Sequence, residues 1–315
     1  MSTYHEGEVA VQEQAGVRTM SERVGNGIHA EIPEAAREFL SQQPFVVIGA
    51  RDEVSGRVWA SALFGAPGFA EAVDEHTVIL AASPDADDPL QCVLSDGTEA
   101  APVAVGLLAI EPATRRRMRL NGDARAVGTG LILTAREVYA NCPKYIQARS
   151  FTAAGPLEDS PDQVHPVISD RPRHRTTLTP TQAAWVSGAD TFFIASIHPE
   201  SGADASHRGG SPGFLQVGAD GKTLLFPDYS GNTMFNTLGN ITATGVAGLL
   251  FISWQTGDLL QLSGDARVLW DDPRAAGFPG AERLVEFTLR EAVERSAVAP
   301  LRSVGTVEYS RFNPV

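Results

Sequence analysis

The feature that most limits what this chain can fold into is that it repeats itself. Gly65-Ala66-Pro67-Gly68-Phe69 returns as Gly210-Ser211-Pro212-Gly213-Phe214, and Thr77-Val78-Ile79-Leu80 returns as Thr223-Leu224-Leu225-Phe226. Gly106-Leu107-Leu108 returns as Gly248-Leu249-Leu250, and Leu120-Asn121-Gly122-Asp123-Ala124-Arg125 as Leu262-Ser263-Gly264-Asp265-Ala266-Arg267. The matches keep their order at offsets of roughly 142 to 146 residues, a regularity that chance does not readily supply and that implies two copies of one domain. A chain of 315 residues is long enough for both, each with its own core.

Each copy reads as β-structure. Phe45-Val46-Val47-Ile48-Gly49-Ala50 begins a series of short apolar runs that continues with Trp59 to Phe64 and Thr77 to Ala81, separated by turn signals such as Asp52 to Gly56. Such spacing, with many glycines and prolines, indicates an antiparallel sandwich or barrel and does not fit a parallel sheet with long crossover helices. Residues 1–40 are expected to form an arm with a short helix over Pro33 to Leu40, and residues 41–150 the first barrel. Residues 151–182 contain Pro156, Pro161, Pro166, Pro172 and Pro180 in a polar background and read as a linker. The second barrel spans 183–315, with Ala281 to Arg295 read as a C-terminal helix over one barrel end. The acidic start, His5-Glu6-Gly7-Glu8, offers metal-ligand types but reads as a solvated terminus, and no metal is expected.

Charge excludes some functions. A net charge of −13 argues against a general binder of nucleic acid or anionic membranes. An anionic ligand therefore needs a local basic pocket. Cys92 and Cys142 form neither a zinc spacing nor a disulfide framework, and no stretch resembles a signal peptide or a membrane span, so a cytoplasmic location is expected.

One stretch supplies such a pocket. Ser206-His207-Arg208-Gly209-Gly210 places a hydroxyl, a guanidinium and two side-chain-free amides together, which suits a dianionic phosphate. After the strand-like Thr223 to Phe226 comes a second polar turn, Pro227-Asp228-Tyr229-Ser230-Gly231-Asn232. Each segment alone also reads as an ordinary hairpin loop. In the first copy the matching positions are Ser61-Ala62-Leu63 and Ala81-Ala82, so the phosphate-holding chemistry occurs once. The run Arg115-Arg116-Arg117-Met118-Arg119, as a strand, sends Arg115, Arg117 and Arg119 to one face. A solvated basic face and a flavin-facing cation both remain open for it; the second copy has Leu259 at the position of Arg117.

With these residues in view, the chain resembles the pyridoxamine 5'-phosphate oxidase-like FMN-binding split barrels, in the long form where the barrel occurs twice. The resemblance rests on the HEGE start, Trp59-Ala60-Ser61, the two Pro-Gly-Phe segments, the arginine run before Asn121-Gly122, Asn141-Cys142-Pro143-Lys144-Tyr145-Ile146-Gln147, SHRGGSPGF and PDYSGN. It implies a mainly β fold of two Greek-key split barrels paired within one chain, with a few helices. It also implies FMN as cofactor, with Ser206, His207, Arg208, Gly209, Asp228, Gly231 and Asn232 at the phosphate and Arg117 toward the ring; Lys144 reads as a group that orients the flavin or as a surface lysine. The expected activity is that of an oxidoreductase acting on a small molecule, its electrons coming from a separate ferredoxin-reductase-like partner; a homodimer is compatible. A non-catalytic flavin carrier or store, or a haem or deazaflavin binder, remains an alternative, and no catalytic side chain is assigned. Cys142 reads as structural, and His207 as a hydrogen-bonding group.

Overall fold

The computed structural model describes residues 3–94, 101–154 and 173–314. Two large antiparallel sheets dominate it. The first contains β1 (Phe45–Arg51), β2 (Val58–Phe64), β3 (Ala70–Ala72), β4 (Thr77–Leu80), β5 (Val103–Glu111), β6 (Arg116–Val127) and β7 (Gly130–Ala140), in the order β2-β1-β5-β6-β7-β4-β3. A two-stranded sheet pairs β8 (Ala148–Ala153) with a strand near the C-terminus, and β9 (Arg173–Arg175) lies at the edge of the second large sheet. The second large sheet contains β10 (Thr191–His198), β11 (Gly202–Gly209), β12 (Gln216–Val217), β13 (Thr223–Tyr229), β14 (Val246–Ile252), β15 (Leu259–Leu269) and β16 (Ala281–Arg295), in the order β11-β10-β14-β15-β16-β13-β12. Replacing each strand by its sequence counterpart turns one order into the other. Even the irregularity recurs, with a register shift at Asn121/Gly122 in β6 and at Ser263/Gly264 in β15. The last strand, β17 (Leu301–Glu308), is the partner of β8.

Each sheet wraps its own apolar core. Ile48, Leu80, Leu107 and Leu120 belong to the first; Phe192, Phe226, Phe251 and Phe287 belong to the second. A third cluster contains residues of both halves, including Phe45, Val47 and Leu108 from one and Phe193, Leu250 and Trp254 from the other. The backbones at this junction are nearly touching. A Cβ placed on Gly106 of β5 would lie 2.4 Å from Asp204 and Ala205 of β11, and one on Gly248 of β14 would lie 2.5 Å from the Val58 carbonyl of β2. These are reciprocal contacts of the same repeat position, as expected where a pseudo-twofold axis relates the halves.

Among the described residues five α-helices flank the sheets: α1 (Glu6–Gln14), α2 (Arg18–Gly25), α3 (Glu34–Ser41), α4 (Pro180–Gly188) and α5 (Asn236–Thr244). The helix expected over residues 33–40 is present as α3. Ala281 to Arg295 is not a helix but the long strand β16, paired on one side with β13 and on the other with β15. Its alternation of Val285, Phe287 and Leu289 with Glu286, Thr288 and Arg290 is the strand signal, and pairing on both edges overrides the helix propensity of its alanines, glutamates and arginines. The proline-rich linker falls largely on residues outside the described ones. At its ends, Phe151 lies in β8 and Pro180 is the first residue of α4, behind the capping box of Thr179 and Gln182. Among the described residues no helix is long and apolar enough to cross a membrane.

The solvated N-terminus expected from sequence is also corrected. His5 caps α1 by accepting from the Gly7 amide, while Glu8 accepts from the His5 amide. The helix crosses α5 with Gly7 against Gly239, where a Cβ on either would come within 2.6 Å of the other helix's atoms. Glu8 is buried and also accepts from Asn236 Nδ2 at 2.5 Å. The His5 ring stacks on His198 at 3.9 Å.

Two predictions follow from the packing. Gly106→Ala forces a methyl into the junction and should destabilise the protein by about 1–3 kcal/mol in urea unfolding, with no comparable cost at Gly188, where a Cβ meets nothing within 4 Å. Burial raises the Glu8 pKa to about 7, while His5 is pushed down to about 4, first by burial and then by His198. A carboxyl that keeps its proton longer in the folded than in the unfolded chain loses stabilisation as pH rises from about 4.5 to about 7. Glu8→Gln should therefore become more stable relative to wild type across that window, by about 1–3 kcal/mol in parallel melts at pH 5 and pH 8. A difference independent of pH would show that Glu8 keeps an ordinary acidity.

Candidate functional site

Both halves contribute to one polar pocket. Arg117, Arg119, Asn141, Cys142 and Tyr145 come from the first; Ser206 to Gly209, Pro227 to Tyr229, Gly231 to Thr233 and Phe235 to Leu238 come from the second. Three guanidiniums, those of Arg117, Arg119 and Arg208, line the wall with one carboxylate, Asp228. Arg208 is paired with Asp228, and among the described residues Arg117 has no carboxylate partner. Asp204 takes the Arg119 guanidinium, and Arg283 approaches Asp228 Oδ2 at 3.3 Å while its guanidinium lies between the Phe235 and Trp270 rings, 4.8 Å from each.

The local backbone explains why these residues converge. Helix α5 begins inside the pocket, and its N-cap, Phe235, supplies no side-chain hydrogen bond. The leading amides of a helix have no intrahelical partner, and the helix dipole adds partial positive charge there. Thr233 and Phe235 reach this position with φ of 64° and 62°, and Tyr145 across the pocket has φ of 64°. Half of the six non-glycine residues with left-handed φ among the described residues therefore line this one site, a concentration of backbone strain of the kind found at ligand sites. Tyr145 closes over the loop by donating to the Ser230 carbonyl at 3.0 Å, its ring 5.1 Å from that of Tyr229. Asn232 Oδ1 accepts from the Met234 amide, shaping the turn.

The structure thus brings together Ser206, His207, Arg208, Gly209, Asp228, Gly231, Asn232 and Arg117. Several have partners that sequence reading did not foresee. Arg208 donates to Asp228 Oδ1 at 2.8 Å, and Gly209 is required because a Cβ there would sit 2.1 Å from the Tyr145 carbonyl. His207 Nδ1 faces the Arg117 guanidinium at 3.0 Å, so Nδ1 accepts and the ring proton sits on Nε2. Burial, then Arg117, Arg149 and Arg208, hold its pKa well below 6.5, and His207 is neutral at pH 7. Arg117 is itself lowered to about 10 by burial and stays charged.

Lys144 is not in the wall; its Nζ lies 5.8 Å from the Phe312 ring. Arg115 does not share a strand face with Arg117. It adopts φ of 56° ahead of β6 and turns to the Ile146 carbonyl and Glu308. Asp204, Arg283 and the start of α5 were missed. Asp204 and Arg283 carry no motif of their own, and Arg283 lies in the segment misread as a helix. The His-Glu start does gather with His198, ligand atoms within 4.8 Å of one another. Yet His5 Nδ1 accepts from Gly7 and His198 Nδ1 from the Glu200 and Ser201 amides, so both outward Nε2 atoms carry protons and bond to Asn240 and Glu6. As placed, these side chains form a hydrogen-bond network.

The counterpart of the pocket in the first half is filled. Leu63 sits opposite Val46 where Arg208 sits opposite Phe192, and Leu259 replaces Arg117. Ser61, the match of Ser206, donates to Asp88, and Arg295 reaches Asp85, Asp88 and Gln261. Two carboxylates of the chain itself thus neutralise that arginine.

The sequence profile of the family described as Pyridoxamine 5'-phosphate oxidase matches residues 178–314, and no curated protein matches the chain. Solved structures with a similar fold match 34% to 42% of the chain. HupZ of Group A Streptococcus is 9% identical, with 42% of this chain and 99% of that one covered and a TM-score of 0.30. The FAD binding protein from Mycobacterium smegmatis is 14% identical, with 41% and 100% covered and a TM-score of 0.27. A protein of the pyridoxinephosphate oxidase family from Clostridium acetobutylicum is 12% identical, with 37% and 85% covered and a TM-score of 0.25. At these scores the assignment rests on the profile, which spans β11, β13 and the start of α5, and by it the second barrel of this chain, residues 178–314, belongs to the pyridoxamine 5'-phosphate oxidase-like family.

Proposed function

We propose that the pocket binds FMN and that the protein is an FMN-dependent oxidoreductase acting on a small molecule, with electrons supplied by a separate reductase. The observation that carries the reading is the uncapped start of α5 in a pocket lined by three arginines, of which Arg117 has no carboxylate partner among the described residues, in a chain whose overall charge is −13. A helix N-terminus combined with arginine is a ready site for a phosphate dianion. Family membership of the second barrel makes FMN the phosphate-bearing molecule of choice.

The residues present fit that group. Among the described residues Arg117 Nε, Arg119 Nε, Arg208 Nε and Thr233 Oγ1 are buried without hydrogen-bond partners, and so are Asn141 Oδ1 and Asp228 Oδ2. Buried polar atoms are normally paired, so donors and acceptors left open in one pocket match a ligand that has both kinds of group. Arg208, Gly231-Asn232 and the α5 amides would hold the phosphate. Arg117 and Asn141, from the first half, would face the polar edge of the ring. FMN, when bound, supplies the electron or hydride transfer itself. The protein's part is to orient the ring and to keep a fixed positive charge beside it at Arg117, while the neutral His207 accepts from that guanidinium. Haem is less well matched, because the only histidine in the wall is committed at Nδ1 to Arg117.

Removing one charge-assisted contact should weaken binding by about 1.5–3 kcal/mol. Arg208→Ala should thus raise the FMN dissociation constant about ten- to a hundredfold in a flavin-fluorescence titration. Riboflavin, which lacks the phosphate, should bind wild type and variant alike. Equal FMN affinity in both proteins would refute the phosphate assignment. Because Asp85, Asp88 and Arg295 fill the opposite site, each chain should bind about one FMN, measured as flavin absorbance against protein mass; two would show that the first half retains a working site.

A further inference from the structure

Beside the pocket, and sharing Arg117 and Asn141 with it, lies a larger cleft of about 620 Å³ at the mouth of the first barrel. Its volume falls in the range of about 300–1,000 Å³ common for small-molecule sites. Helix α3 forms one wall with Ala36 and Phe39; the start of β6 and the end of β7 form the other with Met118 and Val138. These four also belong to the first apolar core or pack against it, so the cleft is the unfilled end of that core.

The polar part of the lining is one-sided. Arg115, Arg116 and Arg117 contribute to it and no aspartate or glutamate does. At the rim, Arg115 is paired with Glu308, and Arg116 with Glu111 while lying 5.1 Å from the Phe39 ring. Such exposed pairs contribute little and are readily exchanged for another anion. At the inner end the situation differs. Among the described residues Arg117 forms no ion pair, and its Nε and the Asn141 Oδ1 are buried without partners. A cation held in protein without a counter-charge is costly unless a ligand supplies one.

We propose that this cleft is the substrate site, and that it takes a flat, largely apolar molecule carrying an anionic group, such as an aromatic carboxylate. The term substrate rests on the flavin reading of the neighbouring pocket; the cleft and its charge do not. A molecule lodged here lies against the same two residues that face the proposed ring position, so it borders the flavin along Arg117 and Asn141 and the two bind together.

The test uses 1-naphthoate and its neutral twin 1-naphthalenemethanol, titrated calorimetrically into the full-length protein with and without FMN. Naphthoate should bind in both states and, with FMN present, should perturb the flavin absorption bands. Ala36→Trp, which fills the cleft, should weaken naphthoate at least about tenfold while leaving FMN affinity unchanged; Ala36→Leu serves if the tryptophan variant melts early. Arg116→Gln should weaken naphthoate about three- to tenfold and leave the alcohol unaffected. The proposal is overturned if naphthoate does not bind wild type, if neither Ala36 variant changes its affinity, or if naphthoate and FMN exclude one another, which would make the cleft part of the flavin site. Naphthoate binding that responds to Ala36 in a protein that does not bind FMN would remove the flavin reading and leave the cleft standing.

Discussion

The close approach of two backbones at the centre of the molecule is the constraint on which the rest depends. Gly106 and Gly248 let β5 lie against β11 and β14 against β2 at distances no Cβ would tolerate. That approach brings Arg119 of the first half to Asp204 of the second and Arg117 to His207. Side chains larger than hydrogen at these two positions would separate the halves by ångströms. The pocket, whose wall is divided between them, would come apart even though each barrel kept its own core.

Much of this was legible in the sequence because repetition is visible without structure. The repeated Gly-Leu-Leu marks the junction strands β5 and β14, and the repeated Asn-Gly-Asp and Ser-Gly-Asp mark the shared bulge. The segment around Arg208 was legible because glycine, serine and arginine in close order have few structural uses. What stayed hidden depends on partners far away in sequence. Arg283 gains its place only because β16 pairs with β13, and a charged, alanine-containing run gives no local sign of that pairing. Lys144 illustrates the opposite error, since proximity in sequence to Tyr145 did not carry it into the wall. The N-terminal arm was judged by the usual behaviour of termini, whereas Gly7 and Gly239 form a helix crossing that neither segment reveals alone.

The two halves share a strand plan but differ in what occupies equivalent places. In the second, Arg117, which has no carboxylate partner among the described residues, leaves positive charge open to a ligand. In the first, Arg295 meets two carboxylates from across the junction and Gln261 of the neighbouring strand and is fully engaged. A small change in the balance of buried charges therefore separates a binding pocket from a structural ion cluster, with the surrounding fold unaltered.

The division of the pocket wall between residues 117–145 and 206–238 also sets an order of events during synthesis. The first barrel can collapse on its own core as soon as it leaves the ribosome, but the face that will become the junction, with Phe45 and Leu108, then remains bare until β10, β11 and β14 arrive. The nascent chain carries an adhesive apolar surface for the time needed to translate its second half. Sites where the chain can be interrupted, permuted or fused are accordingly restricted to places that do not lengthen that exposure.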